Sequence, residues 1–340
     1  MKRLFPILLI LLMLLGCAQA PQPTQKQYTA TFLELFDTVT TIVGRDESEE
    51  AFREKANTIR DQLQHYHRLF DIYNEYDGIA NIKTINDQAG LSPVTVDPAI
   101  IRLLQDCKTY YALTEGRVNV AMGSVLQLWH EARNDSLRDP QNAWLPDAQK
   151  LKDAASHTCL DSVVIDEENS TVFITDPAVQ LDVGAIAKGW ATQQVANTAP
   201  SGMLISVGGN VCATGPKGTD GTPWVIGIQN PDNPETNLHA LYVTGGTVVT
   251  SGDYQRFFLV DGQKYHHIID PATQMPGAYW RCVSVVCGDS ALADALSTGL
   301  FLMDLEQGKA LAQKCGAEVL WVDQNGKEYM TACFESQLRN

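Results

Sequence analysis

Beyond residue 20 the chain has no apolar run long enough to cross a bilayer, and it has no internal repeat. Membrane-spanning and solenoid architectures are set aside on those grounds. Positive charge is scarce: Lys and Arg number 25 against 40 Asp and Glu, a formal net charge of −15. Nucleic-acid binding wants a basic surface, so that class is excluded. No Cys-x-x-Cys pair occurs, which argues against a zinc site. A phosphorylated ligand stays compatible with this acidic balance if local lysines, backbone N–H groups or a metal meet its charge.

What is present is an ordinary globular composition, 44% hydrophobic and 19% charged over 340 residues. That length can bury one large core or two ordinary ones. Strand-like and helix-like stretches are mixed without steady β-α-β alternation, so the expected class is α+β rather than doubly wound α/β.

The first twenty residues stand apart. Lys2 and Arg3 make a positive start, Leu4 to Leu15 is apolar, and the run closes on Leu14-Leu15-Gly16-Cys17. This is the pattern of a secretory signal, too short for a permanent span. Its end resembles a bacterial lipobox, in which Cys17 is lipidated and becomes the new N-terminus. Ala18-Gln19-Ala20 offers a plain small-residue cleavage site instead. The expected organisation is a signal peptide over 1–16, a lipidated cysteine and polar tether over 17–28, and one folded domain over 29–340. Setting Cys17 aside from the eight cysteines leaves an odd number. Most read as buried small hydrophobes, with one or two disulfides open to an exported protein.

Along the body, Thr29 to Gly44 is rich in β-branched residues and reads as a strand pair or one bent strand. Ser48 to Phe70 is a helix with Ser48 as N-cap, and Asp97 to Thr114 a second with Pro98 at its first position. A third helical stretch ends near Ala132, followed by a loop from Asn134 to Pro146. Ser162 to Ile165 and Thr171 to Ile174 form a hairpin. A second hairpin pairs Phe257 to Val260 with Tyr265 to Ile269 around Asp261-Gly262.

Three stretches carry chemistry. In Leu181-Asp-Val-Gly-Ala-Ile-Ala-Lys-Gly-Trp-Ala191, a strand end runs through a Gly184-Ala185 turn into a helix start. Almost no side chain shields that turn, and a helix start presents unpaired N–H groups to an anion. Lys188 in the first turn opposes the helix dipole, which makes sense if an anion docks there, though an ordinary surface lysine fits too. In Ser290 to Thr298, Asp294 and Thr298 are i and i+4 on one helix face, hard oxygen ligands suited to Mg²⁺. In Tyr265-His-His-Ile-Ile-Asp-Pro271, alternation sends His266 and His267 to opposite faces, so one of them can enter a given site as an acid or base.

Taken in order, Leu181–Gly189, Ser206-Val-Gly-Gly-Asn210, Ser251-Gly-Asp-Tyr254, Tyr265–Pro271 and Ala293–Thr298 resemble the FAD:protein FMN transferase (ApbE) family of flavin-transferring lipoproteins. The resemblance implies a single T-fold-related α+β domain of mixed sheets and packed helices. It implies Mg²⁺ and FAD as the substrate, with FMN passed to a threonine of an acceptor protein through a phosphodiester and AMP released. An FAD pyrophosphatase yielding FMN and AMP is the alternative. By match, Asp294, Thr298 and the carbonyl of Ala185 are metal ligands, and His267 is the general base. Asp182, Lys188 and His267 contact FAD; so do Phe36, Asp71, Ile72, Tyr73, Asn119, Val120 and Ala121. Phe36-Asp37 stands where the family commonly has Met-Gly, and Asn119 where it has aspartate. Asp270 is read as shaping the turn before Pro271. The implied acceptors are redox subunits of sodium-pumping NADH:quinone reductase (Nqr) and Rnf-type complexes. The implied location is the periplasmic side of a bacterial inner membrane, held by the lipid anchor.

Cys17→Ser is expected to release the protein from the membrane fraction and abolish palmitate incorporation. Fractionation and labelling check this; full membrane retention would refute the lipobox reading.

Overall fold

A computed structural model describes residues 25–339. The expected signal peptide, Cys17 and the expected tether up to Thr24 lie outside the described residues.

The chain opens with a hairpin, β1 (Lys26–Leu35) and β2 (Thr38–Asp46), which takes the strand-pair alternative of the sequence reading. β1 begins inside the stretch expected as tether. Helix α1 (Glu49–Phe70) follows, and the Ser48 side chain accepts from the Ala51 N–H as its cap. Then come α2 (Ile82–Asp87), β3 (Val94–Thr95), α3 (Pro98–Leu113), α4 (Gly123–Arg138) and α5 (Ala148–Ala155). Next are β4 (Val163–Asp166), β5 (Thr171–Ile174), α6 (Ala187–Thr198), β6 (Met203–Val207) and β7 (Asn210–Ala213). Strands β8 (Trp224–Gln229), β9 (Asn237–Val243), β10 (Gly246–Gly252), β11 (Phe257–Val260), β12 (Gln263–His266) and β13 (Trp280–Cys287) follow. Helices α7 (Ser290–Phe301) and α8 (Leu305–Cys315), strands β14 (Glu318–Asp323) and β15 (Glu328–Met330), and α9 (Ala332–Ser336) close the chain.

One eight-stranded antiparallel sheet organises these elements, in the order β1-β2-β6-β7-β10-β13-β14-β15. Its side chains alternate between two buried layers. Val249, Val283, Val285, Val319 and Trp321 face α7 and α8, while Val248, Cys282, Leu320 and Val322 face the β8–β9 pair and α9. Both faces are covered, so the central strands read as near-continuous apolar runs. The mixed sheets and packed helices make the expected α+β fold.

Three local expectations change. Leu181 to Val183 is not in a strand. The segment is extended, but the buried Asn86 side chain stands in for a neighbouring strand: it accepts from the Leu181 N–H at 2.7 Å and donates to the Leu181 carbonyl at 2.9 Å. The Asp182 N–H goes to the Val120 carbonyl at 2.8 Å. Helix α4 runs on to Arg138 through the expected loop, because Trp129, Ala132 and Ser136 bury one face and packing overrides weak local propensity. Finally, all of Cys107, Cys159, Cys212, Cys282, Cys287, Cys315 and Cys333 are free thiols, so the disulfide option is not taken.

Trp190 joins the helical layer. It is 1% exposed, its ring meets Tyr66 and Phe70 edge-on at 5.5 and 5.4 Å, and its indole N–H donates to Asp106 at 2.7 Å. Trp190→Ala should cost about 3–5 kcal/mol of stability. Chemical denaturation checks this; a loss under ~1 kcal/mol would mean that α6 is not anchored by this ring.

Candidate active site

The site grows from the crossing of α6 and α7. A Cβ on Gly189 would fall 2.3 Å from the Ser290 carbonyl oxygen and 2.4 Å from the Asp294 Cβ, so only glycine permits these helices to touch. The first N–H groups of a helix lack partners within it, and no side chain caps α6 at Ile186. The Gly189 N–H instead donates to Asp294 Oδ2 at 2.8 Å. That bond holds a carboxylate only 4% exposed. The Lys188 ammonium donates to the Gly184 carbonyl at 3.2 Å and sits 3.7 Å from Asp294 Oδ2. The Asp182 carboxylate closes the turn by accepting from the Gly184 N–H at 2.8 Å.

This corner fits a divalent cation. Asp294 Oδ1 receives no hydrogen bond from the described residues, and the half-buried Thr298 hydroxyl, one helical turn on, makes none. An unclaimed carboxylate oxygen and a hydroxyl on one helix face are hard donors. Among the described residues no cluster of three or more His, Cys, Asp or Glu side chains could hold a metal, so any ion here needs carbonyl, water or substrate oxygens besides Asp294. The Ala185 carbonyl lies in the turn immediately before α6. Ser297 ties the corner to the sheet: its hydroxyl pairs with the Ser251 hydroxyl at 2.8 Å.

The two histidines separate cleanly. β12 ends at His266, so the expected strand to Ile269 is shorter, and His267 lies just past its end. His266 is buried, donates from Nε2 to the Gly277 carbonyl at 2.9 Å and accepts at Nδ1 from the Ile268 N–H at 3.2 Å. Both its nitrogens are used within the fold, and burial holds it below its ordinary pKa. His267 donates from Nδ1 to the Arg256 carbonyl at 3.2 Å, which leaves the Nε2 lone pair free. Burial first, then Arg256, His266 and Lys188, lower its pKa to about 3. A small cavity beside it is lined by Trp129, His130, Arg133, Phe258 and both histidines.

The other expected contacts divide into backbone supports and exposed groups. Phe36 and Asp37 both have left-handed backbone, φ 53° and 51°, which accounts for a glycine being common at the second position. The Phe36 N–H donates to His67 Nδ1 at 3.1 Å, and the two rings meet edge-on at 5.5 Å. The Asp71 carboxylate is spent inside its own turn, on the N–H groups of Tyr73 and Asn74, the Asn74 amide and the Tyr76 hydroxyl. Burial pushes its pKa up, but these four donors together hold it below the usual carboxylate range. It shapes the loop and leaves Tyr73, 59% exposed, as the group able to meet a ligand; Ile72 is half-buried. Asn119 is likewise structural, donating to the Thr158 carbonyl and accepting from the Ala121 N–H. The Val120 and Ala121 side chains are buried, so that segment offers a ligand its backbone. Asp270 accepts from Arg117 and from the Ala272 N–H, as expected of a turn former.

Three residues escape sequence reasoning. His130 Nδ1 lies 3.0 Å from the Tyr73 hydroxyl, Arg133 lines the cavity, and the Arg256 carbonyl orients His267. The only sequence signal is that His130 and Arg133 are i and i+3 on one predicted helix, a spacing too common to mark a site.

In the unfolded chain a histidine titrates near pH 6.5. Between there and about 3, the unfolded state binds a proton that folded His267 does not, so this group weakens the fold as pH falls through that window. The ring resonances of His267 should therefore stay constant from pH 8 to 5 in an NMR titration of the free protein. A midpoint above pH 6 would overturn the assigned environment.

Comparison with known proteins follows the same lines. Residues 36–321 match the family model described as ApbE family. A FAD:protein FMN transferase of Klebsiella pneumoniae (strain 342) is 30% identical over 272 residues, covering 76% of this chain and 82% of that one. The structure of the ApbE protein from Thermotoga maritima superposes with a TM-score of 0.81 at 28% identity, covering 93% of this chain and all of that one. Flavin transferase ApbE from Vibrio cholerae gives 0.77 at 25% identity, with coverage of 93% and 100%. A family model matched over most of the chain, and a relative 30% identical along most of both chains, have one reading: the chain belongs to the ApbE family.

Proposed function

We propose that the protein is a Mg²⁺-dependent FAD:protein FMN transferase, joining FMN through a phosphodiester to a threonine of an acceptor protein and releasing AMP. The observation that carries this is the α6–α7 corner, where a buried carboxylate with one unclaimed oxygen stands beside a lysine and a bare glycine–alanine turn. Phosphoryl transfer needs positioning and charge neutralisation more than covalent help from the enzyme. This corner is built for that.

The pyrophosphate of FAD would lie between Lys188 and the turn at Gly184. Asp294, Thr298 and the Ala185 carbonyl would hold Mg²⁺, which when bound neutralises charge on the phosphate oxygens. Nε2 of His267 takes the proton of the acceptor hydroxyl. That oxygen forms a bond to the FMN-side phosphorus as the anhydride bond breaks, and AMP leaves with the bridging oxygen. His267 is a weak base in the free protein, because burial first, and then the charges of Arg256 and Lys188, disfavour its protonated form. An incoming pyrophosphate would offset the two charges and favour protonation of the ring. Asp182 holds the turn at Gly184, and Tyr73 presents an aromatic face for stacking.

The expected acceptors are redox subunits of Nqr- and Rnf-type complexes. A lipid on Cys17 would keep the enzyme at the periplasmic face of the inner membrane, within reach of them.

The test is intact-mass analysis of an Nqr acceptor domain incubated with enzyme, FAD and Mg²⁺. The acceptor should gain the mass of FMN less water on threonine, and EDTA should prevent it. Asp294→Ala should lower the rate about 10²–10³-fold. Free FMN and AMP with an unmodified acceptor would identify a pyrophosphatase instead.

A further inference from the structure

Among the described residues a pair of arginines beside His267 has no ion-pair partner, the Asp182 carboxylate acting instead on the neighbouring His130 and Tyr73. Helix α4 packs on β11, with Trp129 against Phe258 at 6.3 Å between ring centres. Arg133 follows Trp129 by one helical turn, and so lies on that same face, over the hairpin. Arg256 immediately precedes β11, and its carbonyl accepts from both the backbone N–H and Nδ1 of His267. The Arg133 Nε is fully buried and finds no acceptor. Among the described residues neither guanidinium takes part in an ion pair, although acidic residues outnumber basic ones 40 to 25 in this chain. Burial, and then Arg256, hold the Arg133 pKa below its ordinary value, the mark of two like charges sharing a corner. A buried donor with no partner and a repelling neighbour is costly unless an anion completes it.

We infer that Arg133 and Arg256 form a receptor for a carboxylate of the acceptor protein, close to the threonine that His267 deprotonates. This rests on the transferase reading. The pyrophosphate has its own partners at the α6–α7 corner, so the arginines are free for the second reactant. The cavity at Arg133 is small, about 10 Å³, room for one water-sized group and far below a whole small-molecule ligand, so only the tip of a side chain can reach Arg133 there. Arg256 is exposed, as a group must be to meet a macromolecule. A guanidinium fork matches a carboxylate through two parallel hydrogen bonds, so the pair selects position as well as charge. The net charge of the chain is −15, so an acidic segment of the acceptor needs local positive charge such as this pair to dock.

The experiment uses the full enzyme and an Nqr acceptor domain in which each of the five residues on either side of the target threonine is in turn aspartate or asparagine. For the unsubstituted enzyme, at least one position should show an acceptor KM about ten-fold lower with aspartate than with asparagine. In Arg256→Gln and Arg133→Gln that preference should vanish, while FAD affinity from flavin fluorescence stays within about two-fold. Because Arg256 is exposed, its substitution is informative even if Arg133→Gln fails to fold. Equal KM values across the aspartate and asparagine series would overturn the inference. A loss of FAD affinity matching the loss in acceptor KM would also overturn it, by assigning the arginines to the phosphates. Absence of any FMN transfer by the unsubstituted enzyme would instead overturn the transferase reading, and the inference with it.

Discussion

The hydrogen bond from the Gly189 N–H to the Asp294 carboxylate, 2.8 Å long and closed to water, is the contact on which the site depends. It exists because glycine lets α6 and α7 approach until backbone meets side chain. It joins two segments 105 residues apart, and it places an acid where a helix start already presents positive charge. A carboxylate buried this deeply would be costly without such a donor. With one oxygen spent on Gly189 and the other unclaimed, Asp294 is rigid and still available.

The rest of the fold serves to hold that crossing still. Trp190 pins α6 to α1 and α3, the Ser251–Ser297 pair ties α7 to β10, and Asn86 clamps the extended segment leading into the turn at Gly184. Several polar residues that look chemical are supports of this kind. Asp71 and Asn119 each spend their side chains on nearby backbone, and His266 spends both ring nitrogens. What remains for a ligand is a smaller set: Asp294, Thr298, Lys188, His267, Tyr73 and open backbone. Arg256 and Lys188 add positive charge around His267, and Arg133 lines the same small cavity.

Much of this was legible in the chain before folding. Asp294 and Thr298 sit i and i+4, so any helix there puts them on one face. Ser48 and Pro98 mark helix starts by their own hydrogen-bonding and backbone constraints, and both do so here. Leu181 to Val183 misled because extended backbone flanked by apolar residues looks the same whether its partner is a strand or an asparagine side chain. The end of α4 misled because Asn134, Asp135 and Ser136 favour a loop locally, and only burial of the helix face extends it.

Sequence alone determined the acidic globular body, its α+β class, the five motifs and their order, since these follow from composition, periodicity and residue chemistry along the chain. Tertiary structure decided which histidine of the pair is available to the site. His267 has a free nitrogen and His266 has none, because one lies beyond the strand end and the other is packed within it. Arg133 and Arg256 became neighbours only through α4 lying on β11, a contact between residues 123 positions apart that no local pattern encodes.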